Sequence, residues 1–337
     1  MRSPDSQRYL QAARHVETGQ VPFQENDPDM VAVNQLLDAD FPLRWHSYDI
    51  PPRDLVNLYT TLGCDMVYLA NLWELGRKNE IDETGRKHYV DGVIKTPEQL
   101  RDVKLPDLGE TRRKIEGVLE AMEGSGLGLI YWPNHTPRLV ALAVGYQDYC
   151  MALMDDPDFI LEFQKVIDEY CLAELELALD LGADVIQLSA DLCMVSGPMY
   201  SRDVLDRFEF PLFRRTVDVV HSRSALVCAH VDGNLAPILA DLIEMGPDIL
   251  NPIEPCGGQD ICQIKQQYGS RIALQGNLDV AEILVSASAE DISAATRQLI
   301  EPLAVGGGYI VASSHNITEH VPLKNLFAFR DAAHEPV

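Results

Sequence analysis

Seven short apolar runs, separated by longer amphipathic stretches, constrain the fold of this chain more than any other feature. The runs are Met66-Val-Tyr-Leu-Ala70, Leu127-Gly-Leu-Ile-Tyr-Trp132, Val185-Ile-Gln-Leu-Ser189, Ala225-Leu-Val-Cys-Ala229, Ile249-Leu-Asn-Pro-Ile253, Ile272-Ala-Leu-Gln275 and Tyr309-Ile-Val-Ala-Ser313. Apolar runs of this length, bounded by turn residues, read as strands buried on both faces. Between them, residues 157–179 place apolar side chains at 159, 160, 163, 166, 167 and 170, which is helical spacing. The stretches 235–245 and 280–284 have the same character. Alternating strands and helices predict a parallel sheet.

A doubly wound sheet and a closed barrel both satisfy that alternation, and roughly 250 residues is a typical barrel size. The position of the reactive side chains favours the barrel. Asp191, His230, Glu254, Asn277, Asp279 and His315 all fall at or just past the C-terminal ends of five successive runs. A barrel brings consecutive strand ends around one opening. The expected fold is therefore a (β/α)8 TIM barrel over residues 56–337, with an N-terminal helical and extended addition, residues 1–55, packing on it. The eighth strand is expected between residues 30 and 100, where Val90-Asp-Gly-Val-Ile-Lys-Thr reads as an extended or hairpin insertion. Gly306-Gly-Gly308 precedes a strand, so it reads as a tight helix-to-strand turn and not as a phosphate-cradling loop.

Composition narrows the function classes. With 27 basic and 52 acidic residues the formal charge is -25, which repels nucleic acid and anionic membrane surfaces. No apolar signal core opens the chain and no run approaches the roughly 18 apolar residues of a spanning helix, so a soluble, cytoplasmic protein is expected. Seven cysteines without a C-x-x-C pair suggest reduced thiols rather than a disulfide framework or zinc ribbon. No Gly-x-Ser-x-Gly elbow, P-loop or His-Glu-x-x-His helix occurs.

The chemistry concentrates at His230-Val-Asp232-Gly-Asn, where strand alternation points an imidazole and a carboxylate to the same side. A catalytic zinc takes about three protein ligands and keeps one position open. His230, Asp232, Glu254 and His315 are the candidate ligands, with Glu254 preferred to Cys256 two residues on. The competing reading is a hydrogen-bonded core histidine beside an Asp-Gly turn, with Cys256 a small residue in a Gly-rich loop. Asp191, His315 and Tyr146 are candidate catalytic groups. Trp45, His46, Asn134, His135 and Asn277 are candidate substrate contacts.

Several blocks in order, Gly182-Ala-Asp-Val-Ile-Gln-Leu-Ser-Ala-Asp191, Pro211-Leu-Phe, His230-Val-Asp-Gly-Asn, Gly246-Pro-Asp-Ile-Leu-Asn-Pro-Ile-Glu254, the stretch from Tyr268 to Asp279, and Ser314-His-Asn-Ile-Thr-Glu-His-Val-Pro-Leu-Lys-Asn325, make the chain resemble the uroporphyrinogen decarboxylase superfamily, which includes corrinoid-dependent methyltransferases. The resemblance implies the same (β/α)8 barrel. In the methylcobamide type it implies a zinc held by His-x-Cys and a later Cys, positions occupied here by His230, Asp232 and His315. Replacing both thiolates with a carboxylate and an imidazole makes a harder, more Lewis-acidic site, suited to a methyl group on oxygen or nitrogen.

The decarboxylases of this superfamily carry an Arg-containing N-terminal signature for a polycarboxylate substrate. This chain offers only Arg44 there. The function so implied is a zinc-dependent methyltransferase exchanging a methyl group between a small molecule and a corrinoid on a separate partner protein. The alternative is a metal-free decarboxylase acting on a carboxylated substrate through Asp191 or His315. A third class, a non-catalytic binding barrel, sits poorly with the reactive set at the strand ends. The direction of transfer is not fixed by the sequence, and a homodimer is left open.

Overall fold

The computed structural model describes residues 2–336. Its strands, in chain order, are β1 (Met66–Ala70), β2 (Arg77–Ile81), β3 (Lys87–Gly92), β4 (Gly128–Trp132), β5 (Val185–Ser189), β6 (Cys193–Met194), β7 (Gly197–Pro198), β8 (Leu226–Val231), β9 (Ile249–Pro252), β10 (Ala273–Leu278) and β11 (Tyr309–Ser313). All seven predicted runs are strands, and they form one parallel curled sheet in the order β1-β4-β5-β8-β9-β10-β11. Consecutive parallel strands joined by helices are the topology of a (β/α)8 barrel. Burial is nearly complete along β1, β5, β10 and β11, where every residue is buried. That explains why these strands read as continuous apolar runs and not as alternating ones.

The eighth position is filled by a different segment from the one expected. Residues 77–92 form an antiparallel β2–β3 hairpin outside the barrel wall, so the insertion reading of Val90 to Thr96 stands but the strand is not there. Instead Phe23 makes a parallel bridge to Val311 of β11. Gln24 N donates to Val311 O at 2.9 Å, and Asp65 N donates to Phe23 O at 3.2 Å at the entrance to β1. The Gln24 side chain adds an acceptor for Met66 N at 3.1 Å. This segment is short and carries Pro22, which lacks a ladder donor, so it has no strand signature of its own.

The helices follow the pattern with three differences. The long helix Pro157–Leu181 extends two residues past the periodic stretch and ends on Gly182 at φ 106, a left-handed cap that a Cβ disfavours. The helix expected at 235–245 is confined to Leu239–Glu244, because Pro237 interrupts its start. Residues 280–284 form a single π-turn, Val280–Leu284. The Gly306-Gly-Gly308 turn adopts φ of 78, 69 and 67°, linking the helix Ala289–Leu303 to β11.

Candidate metal centre

His230 is the fifth residue of β8 and Asp232 follows its end, so alternation sends both to the barrel mouth. His230 Nε2 lies 3.4 Å from Asp232 Oδ1. On its other side His230 Nδ1 is 2.5 Å from Asn251 Oδ1, the residue facing it in the β8–β9 register. Asn251 is itself oriented by donating to Gln275 O at 3.1 Å. An amide oxygen can only accept, so Nδ1 carries the proton and Nε2 is the nitrogen turned to the mouth.

Burial opposes a charged His230, but the Asp232 charge, the Asp232 contact and the Asn251 bond prevail and raise its pKa to about 9. Burial likewise pushes the Asp232 carboxyl up, yet the charges of His230, His315 and Arg138 outweigh it and hold it below its usual range.

Asp232, Glu254 and His315 each bring one ligand atom within 4.8 Å of the other two. They come from the ends of β8, β9 and β11, elements distant in sequence that only the barrel closure unites. His230 lies outside this group of three but touches its Asp232 member. Glu254 Oε2 accepts from Gly233 N at 2.7 Å, which steers the carboxylate toward Asp232. Asp232 Oδ1 is buried and has no hydrogen-bond partner among the described residues. A buried carboxylate oxygen facing two imidazoles and a second carboxylate suits a divalent cation with N and O ligands. Cys256 is not one of these three; it is exposed in the turn Pro255–Gly257, with its thiol against the Glu254 carboxylate.

A second cluster borders the mouth at the end of β5. Asp191 Oδ2 accepts from Tyr146 OH at 3.1 Å and from Arg138 Nε at 3.2 Å. Arg138 also lies 5.3 Å over the Trp132 ring. Beside His315 runs a cleft of about 390 Å³ whose walls include Trp45, His46, Arg44, Arg86 and His88. Trp45 stacks on Phe41, and His46 stacks on Tyr48 while bonding Asp27 at 3.0 Å.

The other predicted contacts have different surroundings. Asn134 is spent inside the fold: it receives Trp73 N at 2.9 Å and donates to Asn71 O and Glu174 Oε2. Asn277 is part of β10 and braces Ile253 O at 2.8 Å. Asp279 caps the turn after β10 by accepting from Glu282 N. His135 is buried, and both its ring nitrogens lack partners among the described residues.

The profile of the uroporphyrinogen decarboxylase (URO-D) family matches residues 135–336 of this chain. The chain belongs to the URO-D family. This URO-D protein is 25% identical to the uroporphyrinogen decarboxylase of Coxiella burnetii over 188 residues, 53% of this chain and 48% of that one. It is 24% identical to the methylated-thiol–coenzyme M methyltransferase of Methanosarcina mazei over 271 residues, 77% of this chain and 68% of that protein. The chain thus spans about half the length of the curated decarboxylases it matches. A solved methyltransferase from Methanosarcina mazei superposes with a TM-score of 0.77 over 98% of both chains, at 17% identity, a likeness of fold.

Within the URO-D match lie all four candidate ligands, whereas Trp45, His46 and the β2–β3 hairpin fall outside it. Two mouth residues escape sequence reasoning. Arg138 sits in the first turn of the helix Thr136–Val144, where it reads as an ordinary helical cation. Asn251 had a usable signal, since an amide inside the apolar run Ile249-Leu-Asn-Pro must find buried partners.

Proposed function

We propose that this URO-D family member is a metal-dependent methyltransferase that moves a methyl group between a small molecule and a corrinoid carried by a separate protein. The reading is carried by the grouping of Asp232, Glu254 and His315 at the barrel mouth, with His230 Nε2 3.4 Å from Asp232 Oδ1. The name and 77% coverage of the Methanosarcina mazei relative support it. Zinc, when bound, would supply a Lewis acid that polarises the heteroatom bearing the methyl group.

The chain's own residues do the rest. His230, fixed by Asn251, would present Nε2 as a ligand, joined by His315 and by Asp232 or Glu254. Tyr146 and Arg138 hold Asp191 at the rim, where its carboxylate can orient the substrate and move a proton to or from the heteroatom. The cleft beside His315, with Trp45 and His46 in its wall, would admit the small molecule. Residues 1–55 and 56–337 would act as one unit, because Phe23 stands in the barrel wall.

Metal analysis of the purified protein tests the reading. About one equivalent of zinc is expected, lost in His230→Ala and His315→Ala while the circular dichroism spectrum is kept. Absence of metal from the parent protein would sink it. The decarboxylase relatives keep a second reading in play: carbon dioxide release that persists in a chelator would favour it.

A further inference from the structure

Behind Asp191 lies a small chamber into which the polar side chains of His135, Arg138, Tyr146, Asp191, Tyr200 and Glu209 converge, its wall completed by apolar residues. It offers about 10 Å³ to the centre of a water molecule, roughly the room one water needs. Its polar walls are unusual for a space of this size. His135 is 6% exposed and both its ring nitrogens lack partners among the described residues; Glu209 is 5% exposed. The contact Glu209 makes is a long one, from Tyr149 OH at 3.4 Å.

Glu209 reaches this position through local backbone irregularity. It closes a π-turn, Leu205–Glu209, between the helical segments Arg202–Val204 and Phe210–Ser222. The extra residue of such a turn rotates the side chains that follow, and π-turns recur at functional sites. A buried carboxyl with one weak bond is costly unless it serves a purpose or finds a further partner.

We propose that the chamber holds a water molecule that carries a proton between the buried Glu209 carboxyl and the Asp191 carboxylate at the barrel mouth. The proton leaves the Glu209 O–H for the water, and the water gives one of its own to Asp191, so Glu209 becomes a carboxylate and Asp191 a carboxylic acid. Tyr146, which donates to Asp191 Oδ2, and the neutral ring of His135 orient the water. The return path is Asp191 itself, which is partly solvent-exposed. Glu209 is a positioning residue, acting through Asp191.

The electrostatics agree with Glu209 as the group that holds the proton at rest. Burial pushes Glu209 up to about 8, the Tyr149 bond opposes and the Asp191 charge adds to the rise. Burial and the Arg138 charge press His135 down to about 4. The groups facing Glu209 are Tyr149 from the helix Tyr146–Asp155, Tyr200 from the loop before Arg202, Asp191 after β5, and His135 and Arg138 after β4. A store of this kind has a use if a partner protein covers the mouth and shuts out solvent, and this use rests on the proposed methyl transfer.

The test has two arms. Infrared titration of the parent protein should show, beside the bands of other buried carboxyls such as Glu25 and Glu174, a protonated-carboxyl band near neutral pH that Glu209→Gln removes, with a midpoint that moves in Asp191→Asn and Tyr146→Phe. Methyl transfer by Glu209→Gln should fall by about 100-fold, the lower end for a proton-transfer group, and lose the alkaline limb of its pH profile, with zinc content unchanged. A parent lacking that band, or a midpoint indifferent to Asp191→Asn, overturns the relay, as does a Glu209→Gln profile superposable on the parent's. Tyr149→Phe, which keeps the carboxyl, controls for misfolding and should retain the band. If methyl transfer fails in the parent but the band behaves as stated, the methyltransferase reading falls and the relay stands.

Discussion

Asn251 gives the sharpest prediction, because it touches the proposed centre only through His230. It is 1% exposed, holds His230 Nδ1 at 2.5 Å and is anchored on Gln275 O at 3.1 Å. Asn251→Ala removes the acceptor that fixes both the tautomer and the ring plane. Losing such an outer partner costs metal affinity about 10–100-fold, which is about 1.4–2.8 kcal/mol, in the range of one hydrogen bond to a buried group left unmade. Asn251→Asp keeps an oxygen opposite Nδ1 and makes the ring a stronger ligand, so it should recover most of the loss. Zinc competition against a chromophoric chelator measures both variants, and melting of the metal-free proteins separates affinity from folding. Should Asn251→Ala bind zinc as tightly as the parent, or the two variants lose affinity equally, His230 is not a ligand held by Asn251.

Two further predictions concern the fold around the mouth. Glu25 is buried and receives Ser313 N at 3.0 Å and Ser313 Oγ at 2.5 Å; burial raises its carboxyl from 4.5 to about 8, against those bonds. Since the folded pKa lies above the unfolded one, the unfolded chain binds fewer protons between pH 4.5 and 8, and stability should fall as pH rises through that window. Glu25→Gln should make the urea-unfolding slope less negative by up to about 1.4 kcal/mol per pH unit; an unchanged slope refutes the assignment. Phe23→Ala should destabilise by about 3–5 kcal/mol, because the ring is fully buried and packs edge-on to Phe329 at 5.1 Å; a loss below about 1 kcal/mol would mean the barrel does not depend on this closure.

What the sequence discloses and what it hides divide along a physical line. The seven strands were legible because burial on both faces demands unbroken apolar runs, and the His230 and Asp232 pairing was legible because strand alternation is strict. The closing segment was not, since residues 21–24 gain their place from the edges of β11 and β1 and not from their own propensity. Arg138 and Glu209 were hidden for a related reason. Helical spacing treats an isolated charge as solvent-facing, yet a first-turn position aims Arg138 at the mouth and the π-turn places Glu209 inward.

The same division explains the site. No local motif joins Asp232, Glu254 and His315, which meet because three strand ends share one rim. Such a rim tolerates exchange of donor type, provided each position still supplies a lone pair. The partners that fix a donor's orientation, such as Asn251 behind His230, must match in geometry as well as chemistry. Substitutions behind the rim should therefore separate metal binding from folding more cleanly than substitutions on it.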